Sequence, residues 1–166
     1  MARFAIVRQV VAYAVFGAVL VYLSHAPAWH PIPPGAALVQ VSVAYPGARL
    51  QPCRKLAPAE LAQRAPNMRA AEECPRGRSP VRVVVEIDGG VAVDEFAEPS
   101  GLAGDGASNV YRRLFVAAGE HRVRVRIYDD LRALDRVVEH SETVRLEPGQ
   151  VLVVGYSTAR GGILLS

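Results

Sequence analysis

The chain predicts an all-β sandwich of about 7–8 short strands, carried behind one N-terminal transmembrane helix. Three observations lead there. Residues Phe4–Leu23 form a nearly unbroken apolar run. Beyond it, segments that alternate apolar and polar residues recur at short intervals, as where Val123, Val125 and Ile127 are set against Arg122, Arg124 and Arg126. Turns rich in glycine and proline separate these segments, among them Tyr45-Pro46-Gly47, Asp88-Gly89-Gly90 and Glu147-Pro148-Gly149-Gln150. The pattern divides the chain into an anchor at 1–24, a proline-rich linker at 25–36 and a sandwich at 37–166 with an insert at 53–74.

At 1.5 Å per residue the apolar run reaches roughly 30 Å, the thickness of a bilayer core. Arg3 and Arg8 precede or open the run, and no charge follows it before Arg49. That asymmetry puts the N-terminus in the cytoplasm and exports the rest, which predicts a single-pass protein of a bacterial inner membrane with a periplasmic domain. Tyr22 and Trp29 fall where an outer aromatic belt would lie. Ala14 and Ala18, with Gly17 beside them, offer a small-residue face to a neighbouring membrane helix. A cleaved signal peptide is the rival, with Val10–Leu23 as its apolar region and Ala26-Pro27-Ala28 as an A-x-A site. In the linker, Pro31, Pro33 and Pro34 favour extended polyproline II, a stiff spacer. His25 and His30 lie there without the C-x-x-C-H of a haem attachment site.

The exported part then reads in order. Ala37–Ala44 is a half-buried strand. Between Cys53 and Cys74, Pro58-Ala59-Glu60-Leu61-Ala62 opens a short helix that ends before Pro66. An oxidising compartment makes a Cys53–Cys74 disulfide the default; a metal site completed by His121 or His140, or two free thiols, are the alternatives. Val81–Asp88 is the clearest strand, and Asp88-Gly89-Gly90 turns it into a hairpin with Val91–Phe96. Pro99–Asn109 is a polar loop whose Asp105-Gly106-Ala107-Ser108-Asn109 does not match a calcium-binding loop. Val110–Asp129 reads as a second hairpin, broken at Ala117-Ala118-Gly119-Glu120. Asp129–Asp135 is a loop or a single helical turn. Strands follow at Val137–Leu146, Val151–Ser157 and Ile163–Leu165.

Lys55 is the only lysine, and the net charge is +3. The charge comes in blocks. Arg49 to Arg82 holds eight basic and three acidic residues, while Glu86 to Asp105 holds six acids and no base. Such blocks either form opposed patches or neutralise one another across a sheet. The arginine row Arg122, Arg124 and Arg126, with Arg112 and Arg113 on the other arm, is the most distinctive surface feature. It suits an acidic partner or lipid headgroups, or else a solvated face paired with Glu86, Asp88 or Asp94. Nucleic acid does not fit an exported domain.

Catalytic chemistry is thin. Gly155-Tyr156-Ser157-Thr158-Ala159 falls one residue short of a G-x-S-x-G elbow, no helix pattern follows it, and His121 and His140 both precede it. Asp94/Glu95 and Asp129/Asp130 sit in or beside turns. No phosphate-binding loop, dinucleotide fingerprint, cofactor motif or metal-ligand spacing appears.

The stretch Val116-Ala117-Ala118-Gly119-Glu120-His121-Arg122-Val123-Arg124-Val125, with Val144–Gln150 later, resembles PEGA-like domains of bacterial envelope proteins. Those domains show a V-P-A-G-x-H-x-V-x-V hairpin and an L-x-P-G-Q turn; Ala117 stands where proline is usual. The resemblance implies an immunoglobulin-like or transthyretin-like sandwich that acts in interactions and has no active site to carry over. The expected role is a non-catalytic accessory, assembly or scaffolding subunit of a membrane protein complex of the cell envelope. A ligand- or glycan-binding module is the alternative, and an exported hydrolase using Ser157 a remote one.

Overall fold

The computed structural model describes residues 2–26 and 31–166. They belong to two compact units that divide between Pro31 and Ile32. The first is helix α1, Ala2–His25. Its stretch Phe4–His25, 22 residues, is long and apolar enough to cross a membrane. Phe4, Val7, Val11, Val15, Leu20 and Leu23 are all exposed, so the helix is apolar all round, with no polar stripe to set against water. At its end Ser24 Oγ donates to Leu20 O at 2.7 Å, His25 Nδ1 bonds Val21 O at 2.9 Å and Ala26 N–H donates to Tyr22 O at 2.8 Å. The last of these occupies a carbonyl that the helix end leaves open, and the two side chains add bonds to carbonyls of the turn before it. Ala14, Gly17 and Ala18 share one helix face, and space is open where a Cβ on Gly17 would stand. Tyr22 is exposed near the helix end. Trp29, His30 and the Pro27-Ala28 part of the cleavage pattern lie outside the described residues.

The second unit is a sandwich of two four-stranded sheets with a short ribbon attached. The first sheet has the order β10 (Gly162–Leu165), β9 (Val151–Ser157), β1 (Ala36–Tyr45), β6 (Ser108–Ala117). The second has the order β5 (Gly90–Ala97), β4 (Val81–Ile87), β7 (Gly119–Tyr128), β8 (Val137–Leu146). β1 and β9 run parallel and every other pairing is antiparallel. Between the sheets pack Val39, Val41 and Val43, Val81, Val83 and Val85, Val123, Val125 and Ile127, and Val154. β-branched side chains at every second residue fill a pleated interface of this kind. The predicted all-β sandwich behind one N-terminal helix is the fold observed.

Two local expectations are corrected. Pro33 and Pro34 do not continue an extended spacer. Ala36 N–H donates to Pro33 O at 3.1 Å and Gly35 takes φ 77°, a type II turn with Pro34 and Gly35 at its centre. Glycine after proline supplies the positive φ, and the local hydrogen bond closes what polyproline II would leave open. The second correction concerns Val110–Asp129. β6 pairs with β1, and β7 with β4 and β8, so the two arms lie in opposite sheets. Ala118 N–H still bonds Gly35 O beside β1, at 3.0 Å. Gly119, at φ 149°, then carries the chain across, a conformation that residues with a side chain avoid. Crossing lets Val110, Leu114 and Val116 face Val123, Val125 and Ile127 over the core. The alternation specifies which side of each arm turns inward, and both arrangements satisfy it.

The Asp88 hairpin stands as expected. Ile87 pairs with Gly90 around a two-residue loop, with Asp88 at φ 53° and Gly89 at φ 82°, the type I′ geometry that suits strand twist. The insert holds β2 (Arg54–Lys55), α2 (Pro58–Gln63), a 3₁₀ turn at Pro66–Met68 and β3 (Glu72–Glu73). β2 pairs with β3, and the Cys53–Cys74 disulfide closes the ribbon. Glycine at position 47 is required by packing, since a Cβ there would overlap the carbonyl oxygen of Ser79.

Candidate interaction surfaces

The structure divides the five arginines among three places. Arg122, Arg124 and Arg126 stand on the outer face of the second sheet, where their strand lies between β4 and β8. Register places Arg124 opposite Glu86, and Arg126 opposite Glu139. Arg126 pairs with Glu86; Arg124 lies 3.6 Å from Glu86 and 3.3 Å from Glu139. On the neighbouring pair Arg82 forks onto Asp94 at 2.6 and 2.7 Å, and its guanidinium sits 5.3 Å from the Phe96 ring centre. That fork holds the Asp94 carboxyl below its ordinary range. Arg122 has no carboxylate on its guanidinium among the described residues; its backbone N–H donates to Asp88 Oδ1 at 2.9 Å. A shallow groove of about 420 Å³ there is lined by Glu86, Asp88, Gly89, Arg122 and Arg124, with both signs of charge. This face is a lattice of cross-strand ion pairs.

Arg112 and Arg113 lie in the other sheet. Arg112 has the inward parity of Val110 and Leu114, and it reaches across the open seam between the sheets to Glu95 on β5. Arg113 is on the outer face, exposed between Tyr111 and Phe115, and makes no ion pair among the described residues.

His121 ties the crossover to the β4–β5 turn. Its Nδ1 is 2.6 Å from Asp88 Oδ2 and its Nε2 is 2.8 Å from Ala117 O. Both acceptors call for an N–H, so the charged imidazolium fits and its pKa is raised, by Asp88 first and then by the Ala117 carbonyl. Asp88 is correspondingly lowered, by His121 first and then by the Arg122 amide. Hydrophobic alternation carries no sign of this clamp, because the spacing between the two residues is set by the turn and the strand order.

In the insert, Arg54 is 3.0 Å from both Glu60 and Glu73, and Arg64 is 3.1 Å from Glu73. The Ala57 N–H and then Arg54 hold Glu60 below the usual carboxylate range. Ligand atoms of Cys53, Glu72 and Cys74 lie close together, but the two sulfurs are bonded to each other and no thiolate remains. His121 is bound to Asp88, and His140 lies 3.3 Å from Glu142, so neither completes a metal set with the cysteines. Asp130, buried, is gripped by Arg132 through two oxygens, and Arg132 also donates to Leu50 O at 2.9 Å. That contact fastens the insert's entry to the loop after β7 and keeps Asp130 far below the carboxylate range, with the Arg132 guanidinium the main cause.

The strand ends hold one more feature. Tyr45 packs on Tyr156 with ring centres 4.5 Å apart, beside a groove of about 420 Å³ lined by Tyr45, Asp129, Asp135, Arg136, Val137 and Val138. Asp129 Oδ1 is buried there without a partner, while Oδ2 is 3.4 Å from Arg136. Burial pushes the Tyr45 hydroxyl up to about 12, with Tyr156 and Asp129 adding to it. Ser157 Oγ accepts from Arg160 N–H at 3.3 Å, and the structure does not bring His121 or His140 to it.

No protein-family model matches the chain, and no curated protein does. What the fold defines is a class: a β-sandwich with a disulfide-closed insert, preceded by one apolar helix long enough to span a bilayer.

Proposed function

We infer that the chain is a non-catalytic accessory, assembly or scaffolding subunit of an envelope membrane complex, anchored by α1 with its N-terminus in the cytoplasm and its sandwich in the periplasm. The observation that carries this reading is α1 itself, which is apolar on every side and carries a small-residue face at Ala14, Gly17 and Ala18. The disulfide supports export, and the resemblance to PEGA-like domains points to interaction. Purification of the full-length protein from mild detergent through a C-terminal tag, with mass spectrometry of what accompanies it, tests the reading. A stoichiometric membrane partner that is lost when Phe4–Leu23 is exchanged for an unrelated span is the expected result; a protein that emerges alone overturns it. A ligand-binding module is the second reading, favoured by the aromatic pair Tyr45/Tyr156 beside a groove with an unpartnered Asp129 oxygen.

A further inference from the structure

We propose that the free edge of β6 docks an extended acidic segment of a partner protein, which joins the first sheet as a fifth strand opposite Tyr111, Arg113 and Phe115. This rests on the subunit reading above and names the surface through which the sandwich would engage its partner.

β6 is ten residues long, with no proline or bulge, and ends its sheet. Ala118 N–H bonds Gly35 O on the β1 side. By the alternation of an antiparallel ladder, the even-numbered residues of β6 then face β1, and Tyr111, Arg113, Phe115 and Ala117 turn N–H and C=O to the open edge. Two of those carbonyls are occupied: Arg112 donates to Tyr111 O at 3.0 Å and His121 holds Ala117 O at 2.8 Å. The Pro99–Ser108 bridge covers the start of the strand. Between these caps, the groups at Arg113 and Phe115 and the Tyr111 N–H remain for a new strand.

The other edges are less suited. β5 carries a bulge near Val85/Glu86, and β10 has four residues. β8 turns Glu139, Ser141, Thr143 and Arg145 outward and His140 and Glu142 toward the core side, a device that blocks pairing. β6 instead presents Tyr111 and Phe115, each about half exposed, on either side of Arg113.

The chemistry of the occupant follows from that face. Side chains two residues apart on an added strand meet Tyr111, Arg113 and Phe115, so the fitting sequence is apolar, any, acidic, any, apolar. A second copy fits poorly. In the two antiparallel registers of greatest overlap, either Arg112 or Arg113 lies directly opposite itself, and like charges so placed repel.

The test uses the full-length protein in detergent micelles and two labelled peptides, Thr-Val-Thr-Glu-Thr-Val-Thr and the same peptide with a central lysine. Fluorescence anisotropy at low salt is expected to show the glutamate peptide binding about fivefold more tightly, from the cross-strand charge difference. Arg113→Glu reverses that order. Arg113→Pro, which removes an edge-facing N–H together with the guanidinium and leaves the bonds to β1 in place, abolishes binding of both peptides while thermal melting shows the sandwich intact. Amide exchange slows at Tyr111, Arg113 and Phe115 on binding. Equal affinity for both peptides, binding undiminished by Arg113→Pro, or protection along β8 overturns the proposal. So does a concentration-dependent dimer abolished by Arg113→Pro, which assigns the edge to a second copy. A membrane partner that still co-purifies with Arg113→Pro removes this edge while leaving the subunit reading standing.

Discussion

Replacing Glu86 by glutamine tests whether the arginine row is a neutralised sheet face. Glu86 is the carboxylate shared by Arg124 and Arg126, and its side chain is 16% exposed. Arg124 keeps Glu139 at 3.3 Å when Glu86 is lost. Arg126, 28% exposed, is left with Tyr128 Oη at 3.3 Å and a buried Nε that already lacks a partner. Exposed pairs contribute up to about 1 kcal/mol, whereas breaking a fully buried pair costs roughly 3–5 kcal/mol. Intermediate burial puts Glu86→Gln at about 2 kcal/mol. For a unit of this size, with an unfolding entropy of about 2 cal/mol/K per residue, that lowers Tm by about 7 °C. Thermal unfolding followed by circular dichroism in detergent measures it, with Arg126→Gln completing a double-mutant cycle. Asp94→Asn, at a pair a third exposed on both sides, is the control and costs under about 1 kcal/mol. A Tm change below about 2 °C for Glu86→Gln, or strict additivity with Arg126→Gln, would refute the shared-carboxylate reasoning.

Other outcomes are equally definite. His121 has a raised pKa, so its contribution is complete below its ordinary value near 6.5 and lost as pH rises through the folded value. Asp88, lowered, contributes above its ordinary value near 3.8 and loses this as pH falls. The difference in denaturation midpoint between wild type and His121→Gln is therefore largest around pH 5–6 and shrinks toward pH 9; a difference flat across that range contradicts the clamp. The Cys53→Ser/Cys74→Ser double variant loses about 3 kcal/mol from the freed loop, seen as a lower guanidinium midpoint, and a midpoint unchanged from wild type means the insert folds independently of its crosslink. Gly47→Ala forces the Ser79 backbone away and costs about 2 kcal/mol or more, measured in the same way; a neutral effect would show that the two segments separate freely. Val11→Asp, in the middle of α1, moves the protein from the alkali-resistant membrane pellet to the soluble fraction, whereas continued pelleting shows that α1 is not the anchor.

Much of the fold is written in local pattern. β4, with its inward valines and the Asp88-Gly89 turn, and β8 and β9, with their bounding turns, stand where alternation and turn chemistry place them, because both signals act within a few residues. The Val110–Asp129 segment shows where local pattern stops. Its parity was legible; its partners were not, because a short connection through Gly119 serves a hairpin and a crossover alike. The candidate sites suffered most from this. Arg112, Arg113, Arg122, Arg124 and Arg126 are one cluster along the chain and three environments in space, divided by a single crossover. Glu86 was visible as an outward acid, but its pairing with β7 depends on strand order, as does that of Glu139 and the approach of Tyr45, Tyr156 and Asp129. The exposed face of Tyr111, Arg113 and Phe115 is likewise readable as alternation, and only the sheet order makes it an edge.

Protease treatment of intact spheroplasts carrying the protein with a C-terminal tag, joined to the intact mass of the membrane-bound chain, tests most directly whether α1 is a retained anchor with the sandwich outside the cytoplasm. With α1 retained as the anchor, the tag is removed without lysis and the membrane-bound mass is that of the uncleaved chain. A tag protected until the membrane is broken, or a soluble protein whose mass begins after Ala28, would contradict that arrangement.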